Sequence, residues 1–476
     1  MRTWSLSFED CNELDDRIYK LRVVNCIAST GRCMSGKVAK TLATMTVTRP
    51  RIVPNKYFTS HVAKDVWSLT NEAAAAAANN ANNSGRELIN LGQGFFSYSP
   101  PKFAISEAQK AVDIPLVNQY SPTRGRPSLI QSLIKLYSPF YNTQLKPENV
   151  TVTTGANEGI LASLMGIINP GDEVIVFEPF FDQYIPNIEL LGGKVVYVPI
   201  NPPKGIDERV VKGTEWTIDY EQFANSITGK TKAVIINTPH NPIGKVFTRE
   251  ELTTIGNICV KNNVVIISDE VYEHLYFTDS FSRIATLSPE IGQLTLSVGS
   301  AGKSFAATGW RIGWVVSLNP ELLSYVAKAH TRICFSSPSP LQEAVANSIN
   351  DALEINYFEQ MRQEYTRKYE IFTSVFDELG LPYTVPEGTY FILVDFSKVK
   401  IPEDYPYPEE LSDKAKDFRI SHWLINELGV VAIPPTEFYI KEHEKAAENL
   451  LRFAVCKDDQ YLEKAVERLR LLKKFL

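Results

Sequence analysis

Residues 294–311 read LTLSVGSAGKSFAATGWR, an apolar run that passes directly into a turn of small residues around a single lysine. An amine in such a cramped place is a candidate for covalent chemistry, because burial disfavours the ammonium form and leaves the neutral nucleophile. Arg311 and Ser300 flank Lys303 and could hold the phosphate of a carbonyl cofactor that forms an imine with it. Taken alone, a Gly-Lys-Ser triplet is also typical of an ordinary surface loop.

The run that precedes this lysine is one of several short apolar runs that alternate with helical patterns. Unbroken Val/Ile runs predict strands buried on both faces, and their alternation with amphipathic helices predicts a mainly parallel sheet flanked by helices. The predicted fold class is therefore α/β. The predicted strands are residues 150–153, 173–177, 194–198, 232–237, 264–268 and 294–298, with 312–317 as a further strand of undetermined direction.

The segments on either side of this region have a different character. Beyond about residue 340, long charged helices are predicted over 341–379, 415–428 and 459–475, with strands at 390–394 and 452–455. This pattern predicts a smaller, separate α+β domain. Near the other end, a helical pattern over 66–78 runs into the polar tract 79–85, which predicts an exposed insertion.

Composition excludes several classes of protein. The 476 residues are 44% hydrophobic and 22% charged, which is typical of a globular chain with a large domain and a smaller one. The net charge of −6 provides no basic field for nucleic acid, and no apolar run is long enough to span a bilayer. Six scattered cysteines without CxxC spacing and no histidine cluster predict neither a disulfide framework nor a metal site.

The first part of the chain leaves two interpretations open. Residues 17–51 are basic, free of acids and contain Ser and Thr, which is typical of a mitochondrial transit peptide, whereas residues 1–16 carry five acids and argue against one. The alternative is a disordered leader without a targeting signal. The compartment is therefore predicted only as cytoplasmic, mitochondrial or both.

Polar residues follow several of the predicted strands at the point where each strand ends. Asp269 and Tyr272 follow one strand, Asn241 lies in the turn after another, and Gly155, Ala156 and Asn157 open a helix after a third. Ligands bind at the carboxyl ends of parallel strands, and a helix amino terminus favours a phosphate. Each position also has an ordinary structural explanation, as a turn residue or a helix cap. Together with Lys303 they match what pyridoxal phosphate requires.

At this point the sequence resembles a known family. The motifs TVTTGANEGI, EPFFDQY, NTPHNPIGKVF, SDEVYEHLYF, SAGKSFAATGWRIGW and LRFAVCK are similar, in order, to those of class I aminotransferases of pyridoxal-phosphate fold type I. Among these, the chain after about residue 56 is most similar to kynurenine aminotransferases of the fungal type. The resemblance implies a leader over 1–54, an arm and part of the small domain over 55–98, a large cofactor-binding domain over 99–340 and a small domain over 341–476.

The resemblance also implies roles for residues around the cofactor. Lys303 would carry pyridoxal phosphate and later move the proton at the substrate's α carbon, while Asp269 would pair with the ring nitrogen and keep it protonated. Tyr272 and Asn241 would hydrogen-bond the ring oxygen. The remaining implied cofactor residues are Phe181 on the ring face, Gly155, Ala156, Asn157, Ser300 and Arg311 around the phosphate, and Tyr120 reaching over from a second subunit of a homodimer.

For the substrate, the resemblance implies that Arg452 clamps the α-carboxylate, assisted by Gly94 and Asn241. Trp67 and Phe335, with Phe95 less clearly, would form an aromatic side-chain pocket. The sequence departs from mammalian relatives at Asn157, where they carry a tyrosine, and at Ser336, where they carry a histidine. Both departures leave the preferred amino acid open.

The predicted function is transfer of the amino group of L-kynurenine, or another aromatic or large amino acid, to 2-oxoglutarate or a similar 2-oxo acid. The same carbanion chemistry allows a cysteine-S-conjugate β-lyase or a broad glutamine and methionine transaminase as an alternative. A non-catalytic regulatory protein on an aminotransferase fold is a third, disfavoured by the presence of Lys303 and the absence of a DNA-binding module.

Overall fold

The computed structural model describes residues 53–60, 65–78 and 87–476. Nearly all of the predicted leader and the whole of the predicted insertion at 79–85 lie outside these residues. By its contacts the chain divides into two units, Met1–Val62 and Ala63–Leu476. In the first unit the described residues form helix α1, Lys56–Ser60. Every other element belongs to the second unit.

The second unit combines helices and strands along its whole length. Its helices are α2 (Val66–Ala78), α3 (Lys102–Val112), α4 (Pro127–Tyr141), α5 (Ala156–Ile167), α6 (Tyr184–Leu190), α7 (Tyr220–Asn225), α8 (Arg249–Asn262), α9 (Pro289–Leu294), α10 (Ala301–Ser304), α11 (Pro320–Ile333), α12 (Ser339–Glu354), α13 (Tyr357–Leu379), α14 (Lys416–Leu428) and α15 (Asp459–Leu469). Its strands are β1 (Ile89–Asn90), β2 (Val150–Thr153), β3 (Glu173–Glu178), β4 (Lys194–Asn201), β5 (Val211–Lys212), β6 (Thr217–Ile218), β7 (Thr231–Asn237), β8 (Val265–Asp269), β9 (Thr295–Ser300), β10 (Gly313–Val316), β11 (Thr384–Val385), β12 (Phe391–Asp395), β13 (Val430–Val431) and β14 (Leu450–Ala454).

An eight-stranded sheet, in the order β2-β10-β9-β8-β7-β3-β4-β6, dominates this unit. The neighbours from β9 through β4 are parallel, whereas β10 is antiparallel to both β2 and β9, and β6 is antiparallel to β4. Smaller two-stranded sheets pair β12 with β14 and β1 with β13. The predicted α/β class with a mainly parallel central sheet is confirmed.

The central strands are uninterrupted apolar runs because both faces of the sheet are covered. In β3, Val174 and Val176 pack into one hydrophobic cluster, while Ile175 and Phe177 pack into another. Successive side chains of a strand point to opposite faces, so both clusters need apolar residues in turn. Branched side chains also favour the extended backbone. The same division recurs in β7, with Ile235 on one face and its neighbours on the other.

The predicted elements differ from the observed ones mainly at their ends. The segment 312–317 forms β10, whose direction only the sheet order decides. The helical stretch predicted over 341–379 is two helices, α12 and α13, because Asn356 adopts a left-handed backbone conformation with φ of 55°. The helix predicted over 459–475 ends at Leu469 and continues as a 3₁₀ helix, Arg470–Phe475. The predicted division into large and small domains stays a prediction.

The register of the sheet brings distant polar positions to one edge. Asn237 pairs with Asp269, Asp269 pairs with Val298, and Gly313 lies opposite both Thr153 and Ser300. The carboxyl ends of β2, β7, β8 and β9 therefore meet at the same place. Among the described residues, no helix has the length and apolar character that crossing a membrane requires.

Candidate active site

A cavity of roughly 300 Å³ opens where these strand ends meet. All of the predicted cofactor residues except Tyr120 line it, together with Tyr184, Asn237, Gln183, Thr308 and several apolar side chains. Residues that are more than 150 positions apart in the sequence thus line the same cavity. The cavity joins an amine, a buried carboxylate and a helix amino terminus, which is the combination that a phosphate-bearing aromatic carbonyl compound needs.

Lys303 lies in α10, directly after β9, and its amine is inside the protein. Its Nζ donates a hydrogen bond to the Tyr390 hydroxyl at 2.7 Å and lies over the rings of Tyr272 and Tyr390. Burial removes water from the ammonium and is the largest cause that lowers the pKa of Lys303, to about 8. The side chain is therefore partly neutral, and nucleophilic, near physiological pH.

Asp269, at the end of β8, is a buried carboxylate with neutral partners. The Tyr184 hydroxyl donates to its Oδ2 at 2.5 Å and the Val271 N–H donates to Oδ1 at 3.3 Å. Among the described residues, no lysine, arginine or histidine forms a salt bridge with it. Burial raises the pKa of Asp269, and the Tyr184 hydrogen bond opposes this rise. A cationic ring N–H placed beside it would supply the missing charge.

The amino terminus of α5 forms a cradle at the other end of the cavity. Gly155 precedes the helix with φ of 81°, a conformation that glycine adopts without strain. A Cβ at this position would lie 2.6 Å from Nη2 of Arg311, so only glycine lets the guanidinium approach the backbone this closely. Ser300 and Arg311 line the same end of the cavity. Free helix N–H groups, a guanidinium and a hydroxyl together suit a phosphate.

Arg452, in the middle of β14, is a buried guanidinium without a carboxylate. Its Nη1 donates to Asn241 Oδ1 at 3.1 Å and its Nη2 to the Gly92 carbonyl at 3.0 Å, while its Nε has no partner among the described residues. The side chain is 2% exposed. Burial lowers the pKa of Arg452 to about 10. A buried cation of this kind is costly without an anion, so the site is suited to a ligand carboxylate.

Comparison with known proteins identifies the family of the chain. The family model for aminotransferase class I and II matches residues 86–469. The chain belongs to this family. Members of the family use pyridoxal phosphate.

Individual relatives cover most of the chain. It is 85% identical over 432 residues to the Saccharomyces cerevisiae protein named "Probable kynurenine–oxoglutarate transaminase BNA3", covering 91% of this chain and 97% of that protein. It is 37% identical to the kynurenine–oxoglutarate transaminase of Dictyostelium discoideum, over 81% of this chain and 91% of the relative. The crystal structure of Bna3p from Saccharomyces cerevisiae superposes with a TM-score of 0.88 at 85% identity, covering 90% of this chain and 100% of that one.

The predicted substrate residues of this aminotransferase differ in how closely they approach Arg452. The indole of Trp67 lies 5.5 Å from the guanidinium, and its Nε1 donates to Asp182 Oδ2 at 2.9 Å. The Gly94 carbonyl accepts a hydrogen bond from Tyr390, and the carbonyl next to Arg452 is that of Gly92. Gly94 therefore lies in the loop that borders the clamp, although its carbonyl is directed to the tyrosine.

Tyr120 and Phe335 are not on the cavity of this chain. Their rings lie 5.7 Å apart, edge to face, and they are 88% and 52% exposed. Phe95 is also exposed, with the ammonium of Lys457 at 3.9 Å from its ring centre. Within one chain, Tyr120 and Phe335 thus form a separate exposed pair, and a role for them in the active site requires a second subunit.

Two residues that touch the functional groups have no role in the sequence-based prediction. Tyr184 bonds Asp269, and Tyr390 links Lys303 to the Gly94 loop while sharing a hydrogen bond with Tyr272. Tyr184 ends the motif EPFFDQY, so the motif itself was a signal for it. Tyr390 precedes β12 and carries no local signal, because a tyrosine beside an apolar strand is typical of a core.

Proposed function

We propose that this aminotransferase uses pyridoxal phosphate to transfer the amino group of L-kynurenine to 2-oxoglutarate. One observation carries the proposal: Lys303 and Asp269 line one cavity, and Arg452, which has no carboxylate salt bridge among the described residues, donates to Asn241 of the same lining. The names of the two relatives above support kynurenine as donor and 2-oxoglutarate as acceptor. The oxo acid formed from kynurenine would then lose water on cyclisation to kynurenate.

The residues present fit the cofactor. Asp269 lacks a cation that a protonated pyridine would provide, Lys303 has a partly neutral amine, and Gly155 lets the Arg311 guanidinium lie close to the amino terminus of α5, where a phosphate would need it. Phe181 would lie against the ring, and Tyr272 and Asn241 would reach its oxygen. When bound, pyridoxal phosphate supplies an electron sink for the charge that develops at the substrate's α carbon.

The chain's own residues would position the substrate and move its proton. Arg452 would hold the α-carboxylate through a bidentate pair, which fixes the direction of the bonds at the α carbon. Lys303, as a neutral amine, would accept the α proton and deliver it again as an acid. The Tyr390 hydroxyl accepts from the lysine and donates to the Gly94 carbonyl, so it would hold Nζ in place between these steps.

The lowered pKa of Lys303 predicts how cofactor capture depends on pH. The neutral amine is the reactive form, and its fraction rises with pH, is one half at the pKa and levels off above it. With this pKa at about 8, against an ordinary value of 10.5, the rate at which apoprotein acquires the visible absorption of lysine-bound pyridoxal phosphate should rise with a midpoint at about pH 8 and level off roughly one to two pH units above it. Stopped-flow absorbance, with N-acetyl-lysine amide as the unburied control, measures this. A rate that keeps rising to the control's midpoint would contradict it.

Removal of the guanidinium tests the substrate clamp. We expect Arg452→Gln to lower kcat/KM for kynurenine by roughly 10²-fold, because a buried charged hydrogen bond to the carboxylate is lost. The matched control is kynuramine, which lacks the α-carboxylate and should react equally slowly with parent and variant. Equal losses for both amines would assign Arg452 a structural role instead.

We infer that the active site is completed in a homodimer. Tyr120 is strongly exposed and lies beside Phe335, and Leu116 and Ile114 on the preceding segment are exposed apolar side chains. A second subunit that covered this segment would bury them and bring Tyr120 to the partner's phosphate site. Light scattering of the purified holoenzyme would test the dimer. The basic stretch 17–51 supports action in the mitochondrion, the cytoplasm or both.

Product analysis tests the whole proposal. Purified holoenzyme incubated with kynurenine and 2-oxoglutarate should form kynurenate and glutamate in equal amounts. Incubation with a cysteine S-conjugate without an oxo acid should release little pyruvate and ammonia. Rapid release of pyruvate with no kynurenate would favour the β-lyase, and preferential use of glutamine or methionine would favour the broad transaminase. No amino transfer from any donor would contradict the proposal.

A further inference from the structure

A cluster of three ligand-type side chains lies outside the cavity, behind the phosphate cradle. It is formed by Glu158 in the first turn of α5, His330 in the last turn of α11 and Cys334 directly after that helix. One carboxylate oxygen, one imidazole nitrogen and the sulfur all lie within 4.8 Å of one another. None of the three residues has a role in the transamination described above.

The cluster exists because two helices pack closely. His330 and Cys334 are four positions apart, which places them on one face of α11, and α5 lies against that face. Gly166 of α5 allows the close approach, since a Cβ there would lie 3.0 Å from the Tyr325 backbone. Glu158 is thereby held against both residues of the other helix.

The two separations from His330 Nδ1 are close to those around a tetrahedral ion. His330 Nδ1 lies 3.0 Å from Glu158 Oε2 and 3.5 Å from Cys334 Sγ. Zinc bound at about 2.0–2.1 Å by nitrogen and oxygen and about 2.3 Å by sulfur has ligand atoms roughly 3.3–3.6 Å apart in a tetrahedron. The Thr154 hydroxyl, 3.2 Å from the sulfur, or a water could complete the set. Thiolate, imidazole and carboxylate together favour Zn²⁺ over Mg²⁺ or Ca²⁺.

The cluster also contains buried polar atoms without partners and has no neighbouring lysine or arginine salt bridge among the described residues. Glu158 Oε1 and His330 Nε2 are buried without a hydrogen-bond partner among the described residues. The salt bridges of the described residues give Glu158 no lysine or arginine, and His330 is its only basic neighbour there. His330 is 0% exposed, whereas Cys334 is partly accessible, which gives an ion a way in. Binding would release the thiol proton to solvent, and the imidazole would bind through Nδ1 as the neutral tautomer that carries its proton on Nε2.

We propose that Glu158, His330 and Cys334 form a binding site for Zn²⁺ or a similar divalent transition metal. The site is independent of the proposed substrate. Glu158 also accepts a hydrogen bond from the Thr154 N–H, and Thr154 directly precedes Gly155 of the cradle. An ion here would tie the loop before α5 to α11, so metal binding should stabilise the fold against heat.

Cobalt spectroscopy tests the site directly. The parent protein is the full-length holoenzyme that carries Cys11→Ser, Cys26→Ser and Cys33→Ser. These three substitutions prevent the thiols of the leader from binding metal. After removal of metals, Co²⁺ should give thiolate and tetrahedral cobalt absorption at one ion per chain, and Zn²⁺ should displace it and raise the Tm. Absence of these bands would overturn the proposal.

Variants assign the signal to the cluster. Cys334→Ser should abolish the thiolate band, and His330→Gln and Glu158→Gln should each weaken Zn²⁺ binding at least tenfold by calorimetry. Cys259→Ala, which removes a buried thiol elsewhere, should change neither. Glu158→Gln and Cys334→Ser keep nearly the same shape, so circular dichroism can confirm that they fold. Parent-like bands and affinity in folded Cys334→Ser and Glu158→Gln would show that metal binds elsewhere and overturn the assignment.

Discussion

Lys303→Ala should reduce transamination by at least about 10⁴-fold, because one side chain is expected to act as both the attachment point and the acid and base. Steady-state formation of kynurenate measures the loss. The visible absorption of lysine-bound cofactor should disappear, while equilibrium dialysis should still detect pyridoxal phosphate held by Arg311 and Asp269. Loss of the visible absorption together with retention of bound cofactor would thus distinguish covalent attachment through Lys303 from noncovalent binding.

The matched control is Lys245→Gln. Lys245 is fully buried, forms an ion pair with Glu251 and does not line the cavity. We expect this variant to lose some stability and to keep the visible absorption and turnover. Parent-like turnover in Lys303→Ala would show that another amine carries the cofactor, and borohydride reduction followed by peptide mapping would then locate it.

Asp269→Asn should lower kcat/KM by roughly 10³-fold, since the amide cannot balance the charge of a protonated ring and the electron sink is weakened. Tyr184 can still donate to the amide oxygen, so the fold of the site should be preserved. Fluorescence titration of apoprotein should also show weaker cofactor binding. Steady-state kinetics with saturating cofactor separates that effect from the loss of catalysis.

Asp395→Asn is the control for the loss of a buried carboxylate. Asp395 also ends a strand and is buried, but its partner is Ser397 and it lies outside the cavity. This variant should keep the parent's kcat/KM. If Asp269→Asn were as active as Asp395→Asn, the carboxylate would not be needed to keep the ring protonated.

The strands were predictable because their apolar runs are long and local. Residues 150–153 form β2 as predicted, and the other predicted strands of the large sheet differ from the observed ones by a few residues at their ends, whereas β6 was not predicted. A strand covered on both faces needs apolar residues at every position, and that requirement is visible in the sequence. The direction of β10 was not predictable, because it depends on which strands lie beside it.

The chemical identity of the candidate site was also partly predictable. Lys303, Asp269 and the Gly155 turn follow predicted strands, and the family motifs add Arg452 and Phe181. Tyr390 was missed because its hydroxyl meets Lys303 across 87 positions of sequence. The cluster of Glu158, His330 and Cys334 was missed for the same reason, since Glu158 lies 172 positions from His330. In neither contact are the two residues close enough in the sequence to form a recognisable motif.

The sequence by itself determined which apolar runs form the central strands, which polar residues follow them and which family the chain resembles. Those properties depend on neighbours within a few residues, through burial patterns, turn-forming residues and motif order. Only the tertiary structure decided that Arg452 faces Asn241 and Gly92, that Asp269 has neutral partners and that Tyr120 lies away from its own cavity. Hydrogen bonds and burial act over a few ångströms, so strand order and helix packing decide which distant residues reach one another.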